Sequence, residues 1–430
     1  LTYSSDQAGE FNLEEKSHMK AGNPRIAFVH PELGIGGAER LVIDAALELQ
    51  QRGARVSVFT ARHEPGNCFE ETRSGLLNIR VAGNCIPLQV AGRFRVPCAI
   101  ARMACAVLAM ARSGGHWDIV VCDLVAHIIP LIRLVSGAKI LFYCHYPDQL
   151  LAPKRRGLYG LYRQPIDVLE EAGLGMADRI LVNSSFTAGV FRATFPRLAG
   201  RQVDVVYPGV DMSAGDRGME RPAMLTALQD ADLMILSLNR YDPGKNLELA
   251  VECLAALKKS VPEDVFRRLH LVFAGACDER LQESRALLMH LRKRAEDLSL
   301  AGKVSFLREV TGAERSWLLN RCICLVYTST REHFGIGIVE AMAAGRPVVA
   351  AAGGGPLETV LNGETGFLCE PSPAAFARAL ARFITDPWLA ERMGREARNR
   401  AAASFSRAAF GESLEKNVAT LLTGKNKHAC

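Results

Sequence analysis

An α/β protein of two doubly wound domains is what the sequence predicts, on three observations. Its 430 residues exceed the roughly 100 to 200 expected of one domain. Short apolar runs alternate with helical patterns along the chain, which is how a parallel sheet covered by helices on both faces is encoded. The alternation is interrupted at the Pro-, Gly- and charge-rich stretch 208–223 (PGVDMSAGDRGMERPA) and then restarts, as a linker between two sheets requires.

In chain order, residues 1–24 are polar, lack the apolar core of a secretory leader, and are expected to form a disordered arm. The first domain, 25–214, opens with the apolar run 25–30 (RIAFVH), the Gly-rich loop 31–37, an amphipathic helix to about residue 52 and a second run at 55–60. Further buried strands fall at 119–122, 140–144, 179–183 and 203–207. The second domain, 215–400, restarts with a strand at 233–238 and a helix at 247–258, followed by strands at 270–274, 304–307, 323–327 and 348–352. A helical tail follows, whose last segment, 401–424, is expected to pack back across both domains. Ligands of such sheets bind beyond the carboxyl ends of the strands, so two facing domains enclose a cleft. The helical pattern at 96–111 has two readings. It is either a buried domain helix or one lying in a bilayer surface, with Arg93, Arg95, Arg102 and Arg112 at the headgroups.

Composition removes several classes of function. Lys and Arg outnumber Asp and Glu by 52 to 46, a small excess for this length that argues against a nucleic-acid partner. A chain with 49% hydrophobic and 23% charged residues is neither disordered nor fibrous. The twelve cysteines include no C-x-x-C pair and read as reduced, mostly buried thiols.

Gly34, Gly36 and Gly37 follow the first strand where a dinucleotide enzyme keeps its pyrophosphate loop. Glu39 stands where the third glycine is needed, and Thr60 and Ala61 stand where a ribose-binding acid is expected, so NAD chemistry is disfavoured. The loop either brings backbone N–H groups to a polar ligand or is simply a tight turn. In the second domain, Arg240 leaves a strand end and Lys245 precedes a helix. Two such cations suit a diphosphate leaving group, although in isolation an Arg and a Lys in a loop are usually solvated. Glu332, in the loop 328–335, and Glu340, in the first turn of the next helix, would place two carboxylates at different depths of one cleft to accept hydrogen bonds from sugar hydroxyls. Phe334 and Gly335 allow close backbone approach, and Gly353-Gly354-Gly355-Pro356 opens a further helix. Asp230-Ala231-Asp232 imitates a metal-binding D-x-D but precedes its strand, and reads as surface.

These residues, with Thr365-Gly366-Phe367-Leu368, resemble glycosyltransferase family 4, retaining enzymes of GT-B fold that use nucleotide-sugar donors. The segments 30–40 (HPELGIGGAER), 143–148 (YCHYPD), 161–167 (LYRQPID) and 175–178 (GMAD) are similar, more narrowly, to the alpha-1,3/1,6-mannosyltransferases of asparagine-linked glycosylation, in order over roughly residues 24–422. The resemblance implies two Rossmann-like domains in a GT-B arrangement. It also implies four catalytic residues, Glu332, His145, Arg240 and Lys245. Arg240 and Lys245 would hold the diphosphate of GDP-mannose, Glu332 the mannosyl hydroxyls and Glu340 the ribose, with His333, Phe334, Gly335 and Ile336 beside sugar and phosphate. Gly36, Gly37, His145 and Asp148 would line the acceptor side, His145 also bonding the transferred sugar.

The same resemblance implies a dolichol-pyrophosphate-linked Man1GlcNAc2 acceptor, extended to Man3GlcNAc2 at the cytosolic face of the endoplasmic reticulum membrane. It implies the pathway's other glycosyltransferases as partners, and neither cofactor nor metal. A different family 4 transferase acting on a soluble glycan, or a silent sugar-nucleotide-binding scaffold, remain alternatives. Lys154, Arg155, Arg156 and Arg163, interleaved with Tyr159 and Tyr162, make either a headgroup-facing surface or a solvated loop.

Overall fold

The computed structural model describes residues 22–90, 94–152, 157–213, 218–229, 231–279 and 281–424, with the side chains of residues 157 and 158 excepted. The arm expected at 1–24 lies outside the described residues apart from 22–24.

Seven parallel strands form the first sheet: β1 Arg25–His30, β2 Arg55–Thr60, β3 Asn78–Val81, β4 Ile119–Asp123, β5 Lys139–Cys144, β6 Arg179–Val182 and β7 Val203–Val205. Their order is β3-β2-β1-β4-β5-β6-β7. Six more form the second: β8 Leu233–Leu238, β9 Leu269–Ala274, β10 Val304–Leu307, β11 Cys324–Tyr327, β12 Val348–Ala351 and β13 Gly366–Cys369. Their order is β10-β9-β8-β11-β12-β13. Central strands such as β4 are buried along their whole length, so they read as continuous apolar runs, the pattern of strands covered on both faces. The strand order reverses between β1 and β4 and again between β8 and β11. Each reversal opens a crevice at the carboxyl ends, where doubly wound sheets bind their ligands.

Two strands were not anticipated. β3 (NIRV) is an edge strand whose side chains are mostly exposed, so no apolar run marks it. β13 begins at Gly366, where a Cβ would meet the Val348 carbonyl oxygen at 2.2 Å. Only glycine permits that approach to β12, and as a residue of low strand propensity it hides the strand from a pattern search.

The helix Arg95–Arg112 settles one open reading. It buries Cys98, Arg102, Met103, Ala106, Val107 and Met110, and four of these join the core around β1, β4 and β5. Arg102 is only 6% exposed and its guanidinium lies 3.9 Å from the Glu32 carboxylate. It therefore cannot sit at a headgroup, and the segment is a domain helix. Arg93 lies outside the described residues. No helix among the described residues is long and apolar enough to cross a membrane.

The return to the first domain begins at Ser406, not at residue 401. Residues 401–405 end the helix Pro387–Phe405, which stays on the second domain, and the Ser406 hydroxyl then caps Arg407–Thr423 by accepting from Ala409 N at 3.2 Å. This last helix places Phe410, Leu414, Val418 and Leu421 in one core with Leu41, Val42 and Leu49. Arg407 reaches Asp44 at 3.1 Å and Arg52 reaches Glu415 at 3.2 Å, so the tail ties the two domains together. The described cysteines are all free, and only Cys85 and Cys105 among them are not buried.

Candidate active site

The second-domain wall is built at the β8/β11 reversal. Beyond β8, the turn Pro243–Lys245 is capped by Asp242 Oδ1, which accepts from Gly244 N at 2.8 Å. Just past β11, the Thr328 hydroxyl donates to Lys245 O at 2.8 Å and that of Ser329 to Gly244 O at 3.2 Å. The turn is thus pinned from below, and Lys245 Nζ comes to 2.5 Å from Glu332 Oε2. The Tyr327 hydroxyl donates to the same oxygen at 2.6 Å. Burial would raise the Glu332 carboxyl, but Lys245 and the two hydrogen bonds outweigh it and hold the group below its ordinary value. The Arg240 side chain is exposed just beyond β8, with no hydrogen bond or ion pair of its own among the described residues.

The loop carrying Glu332 to Phe334 is shaped by the following glycines. Gly355 N donates to Glu332 O at 2.7 Å. A Cβ at Gly353 would meet Thr330 O at 2.7 Å, and one at Gly355 would meet Phe334 Cα at 2.5 Å. Gly353 to Gly355 therefore back the loop that carries Glu332 and open only the four-residue helix Pro356–Thr359. Gly335, at φ +86°, starts the helix Ile336–Ala343. Glu340 is consequently its fifth residue, one turn deeper than the first-turn position expected. Arg315, which sequence reasoning missed, pairs with Glu340. Burial raises the Glu340 carboxyl and Arg315 opposes that rise.

The first-domain wall forms at the β1/β4 reversal and the end of β5. His145 Nε2 lies 2.9 Å from Asp123 Oδ2, and the other Asp123 oxygen lies 2.7 Å from His30 Nδ1. Burial acts to raise the Asp123 carboxyl, but the His30 charge and the bonds from both imidazoles prevail and pull it to about 2. Neither Asp123 nor His30 was singled out from sequence. The available signal was a polar residue closing an apolar run (IVVCD, RIAFVH) at a reversal of strand order.

Gly36 and Gly37 begin the helix Gly37–Gln51, and a Cβ on Gly37 would meet nothing within 4 Å. Asp148 accepts from Arg163 at 2.8 Å. Arg163 is 2% exposed and also bonds Asp167 at 2.8 Å, which overturns for this residue both the headgroup-facing and the solvated-loop reading. Lys154, Arg155 and Arg156 lie outside the described residues.

The two walls meet across one gap. Tyr146, next to His145, stacks on His333, next to Glu332, with ring centroids 3.8 Å apart and planes at 15°. The Ser184 hydroxyl donates to His333 O at 2.5 Å. Burial lowers the His333 imidazole below its ordinary value despite the pull of Glu332. The Glu358 carboxylate spans the domains, accepting from Ser185 N and Phe186 N at 2.8 Å each and from the Tyr207 hydroxyl at 3.1 Å. It thereby sits at the N-terminus of the helix Ser185–Thr194, where negative charge is favoured. Glu358→Ala is expected to lower stability by about 1–2 kcal/mol and to enlarge the radius of gyration. Calorimetry and small-angle scattering check this, and unchanged values in both would mean that the carboxylate does not hold the domains together.

One wall thus carries Arg240, Lys245 and the Glu332 and Glu340 carboxylates, and the wall it meets at the Tyr146–His333 stack carries His145. That arrangement can neutralise a diphosphate while fixing a polyhydroxylated ring beside it.

Residues 35–214 match the family described as Glycosyltransferase Family 4 and residues 226–400 that described as Glycosyl transferases group 1. The chain is 43% identical over 403 residues to human alpha-1,3/1,6-mannosyltransferase ALG2, covering 93% of this chain and 96% of that protein. It is 40% identical over 411 residues to the mouse protein of the same name, covering 95% and 99%. The Saccharomyces cerevisiae counterpart is 34% identical over 438 residues, covering 94% and 86%. Among solved structures, sucrose-phosphate synthase from Thermosynechococcus elongatus superposes with a TM-score of 0.73 at 21% identity, covering 94% of this chain and all of that one. WaaG, a glycosyltransferase involved in lipopolysaccharide biosynthesis, does so with a TM-score of 0.64 at 18% identity, covering 93% of this chain and all of that one.

Proposed function

Because the chain belongs to the alpha-1,3/1,6-mannosyltransferases of glycosyltransferase family 4, with their two-domain GT-B fold, we propose that its donor is GDP-mannose. The proposed acceptor is dolichol-pyrophosphate-linked Man1GlcNAc2, extended by an alpha-1,3 and an alpha-1,6 mannose to Man3GlcNAc2. The observation that carries this reading is the Lys245–Glu332–Tyr327 cluster at the β8/β11 reversal, with Arg240 exposed beside it.

The chemistry follows from the charges. Arg240 and Lys245 neutralise the diphosphate as the bond from the anomeric carbon to its oxygen breaks and the electron pair leaves with the phosphate. Glu332, kept ionised by Lys245, accepts hydrogen bonds from mannosyl hydroxyls. Glu340 takes the ribose at the deeper end. The acceptor oxygen bonds to the anomeric carbon on the face the diphosphate leaves, so the alpha configuration is retained, and its proton passes to a departing phosphate oxygen. The protein contributes positioning and electrostatics, with the two cations in the place a metal would otherwise take. A lipid-linked acceptor places the enzyme peripherally at the cytosolic face of the endoplasmic reticulum membrane, beside the transferases that precede and follow it.

Incubating the full chain with GDP-mannose and phytanyl-pyrophosphate-linked Man1GlcNAc2 is expected to give two successive additions, resolved by mass and linkage. Turnover only on a soluble acceptor would reject the lipid-linked assignment, and no binding of GDP-mannose would reject the donor.

A further inference from the structure

The residues behind His145 form a chain of their own. Asp123 is 2% exposed and His30 1%, whereas the His145 side chain keeps 18% of its surface open. His145 is thus the only member of the trio that reaches the cleft. Its backbone is fixed as well, because Asn183 Nδ2 donates to His145 O at 3.2 Å. Both carboxylate oxygens of Asp123 are engaged, one by each imidazole. An ionised carboxylate only accepts, so each nitrogen facing it must carry a proton. His30 is enclosed in the sheet interior, so it does not reach the cleft and acts there through Asp123.

Building on the transfer reaction above, we infer that Asp123 and His30 are positioning residues. Asp123, clamped by His30, holds His145 with its proton on Nε2 and thereby keeps Nδ1 as an acceptor for a hydroxyl of the sugar. This arrangement carries the orientation of His145 from the sheet interior to the cleft with no other group intervening. It also explains why two buried polar residues close the apolar strands β1 and β4 at the one reversal of the first sheet.

Asp123→Asn tests the clamp with nearly unchanged shape. An amide offers one acceptor and one donor group where the carboxylate offered two acceptors, so one imidazole must reverse its tautomer or lose its bond. In the full chain, with 15N-labelled histidine assigned through His30→Gln and His145→Gln, the wild type is expected to show His145 in the Nε2–H form. Asp123→Asn is expected to move it toward Nδ1–H. In the transfer assay, kcat is expected to fall about 10- to 100-fold, the usual cost of removing a group that orients a functional histidine, with the donor KM within about threefold. His30→Gln, which still offers Asp123 a donor, is expected to shift both readouts in the same direction but less, and it serves as the test if Asp123→Asn does not fold. An unchanged tautomer at both His30 and His145, or an unchanged kcat, would overturn the inference. If the wild type transfers nothing from GDP-mannose, the donor assignment fails, while the tautomer measurement still decides the clamp.

Discussion

Lys245→Ala is expected to lower kcat by about 10²- to 10³-fold, the scale of losing a preorganised charge at a developing anion, while the protein remains folded. The side chain meets Glu332 and the face of the Tyr327 ring, at the rim of the second-domain core, and fills no space inside either core, so its removal leaves no cavity in the sheets. The turn that presents it is held through main-chain atoms, by Asp242 on Gly244 N and by Thr328 and Ser329 on the carbonyls of Lys245 and Gly244, and all of these survive in the variant. Two effects combine in the loss. The diphosphate keeps only Arg240, and Glu332 loses the charge that offsets its burial, so its carboxyl rises from its depressed position. The sign follows: the variant's residual activity should fall off at a higher pH on the acid side than the wild type's, because Glu332 is protonated sooner. Lys245→Arg should restore little, since a planar fork does not occupy the place of a compact ammonium bound to one oxygen. Steady-state transfer across pH and a thermal melt check this, and turnover within threefold of wild type would remove Lys245 from the site.

The parts of this molecule legible in sequence are those where burial writes a continuous apolar run. β1, β2 and β8 occupy the residues read for them, because each interior strand is covered on both sides and needs no alternation. β3 escaped because its side chains are mostly exposed, whereas β10, also an edge strand, is mostly buried and occupies the residues read for it. The roles at the site divide along a similar line. Lys245 and Glu332 stood out because each flanks a strand end in sequence, and the fold brings them into contact. Asp123, Arg315 and Glu358 did not, because each acts on a partner 22, 25 or about 170 residues away, and only the packing of the two sheets creates those pairs. Arg163 shows the converse failure. It read as surface among aromatic neighbours, yet it is buried between Asp148 and Asp167, a pairing that depends on how one helix lies beneath the loop after β5.

Gly354→Ala should be nearly as damaging as Lys245→Ala, for a reason that involves no ligand. Gly354 has φ +63°, and an added Cβ would stand 2.4 Å from Glu332 O and 3.1 Å from Glu332 N. The left-handed backbone costs a non-glycine residue about 1–2 kcal/mol. The contact is with main chain, which cannot swing aside as the end of a side chain can, so the Glu332 peptide must move. That movement also strains the bond from Gly355 N to Glu332 O. Stability is expected to fall by about 2–4 kcal/mol, and kcat by about 10²-fold, as for a displacement of the order of 1 Å at a reacting group. Gly312→Ala is the matched control, since it opens a helix and its Cβ would meet nothing within 4 Å. If Gly354 lay against donor phosphate instead of the Glu332 loop, the alanine would raise the donor KM and leave the melting temperature and kcat alone. A fall in both melting temperature and kcat, with donor KM little changed, therefore identifies the glycine run as the support of the Glu332 loop.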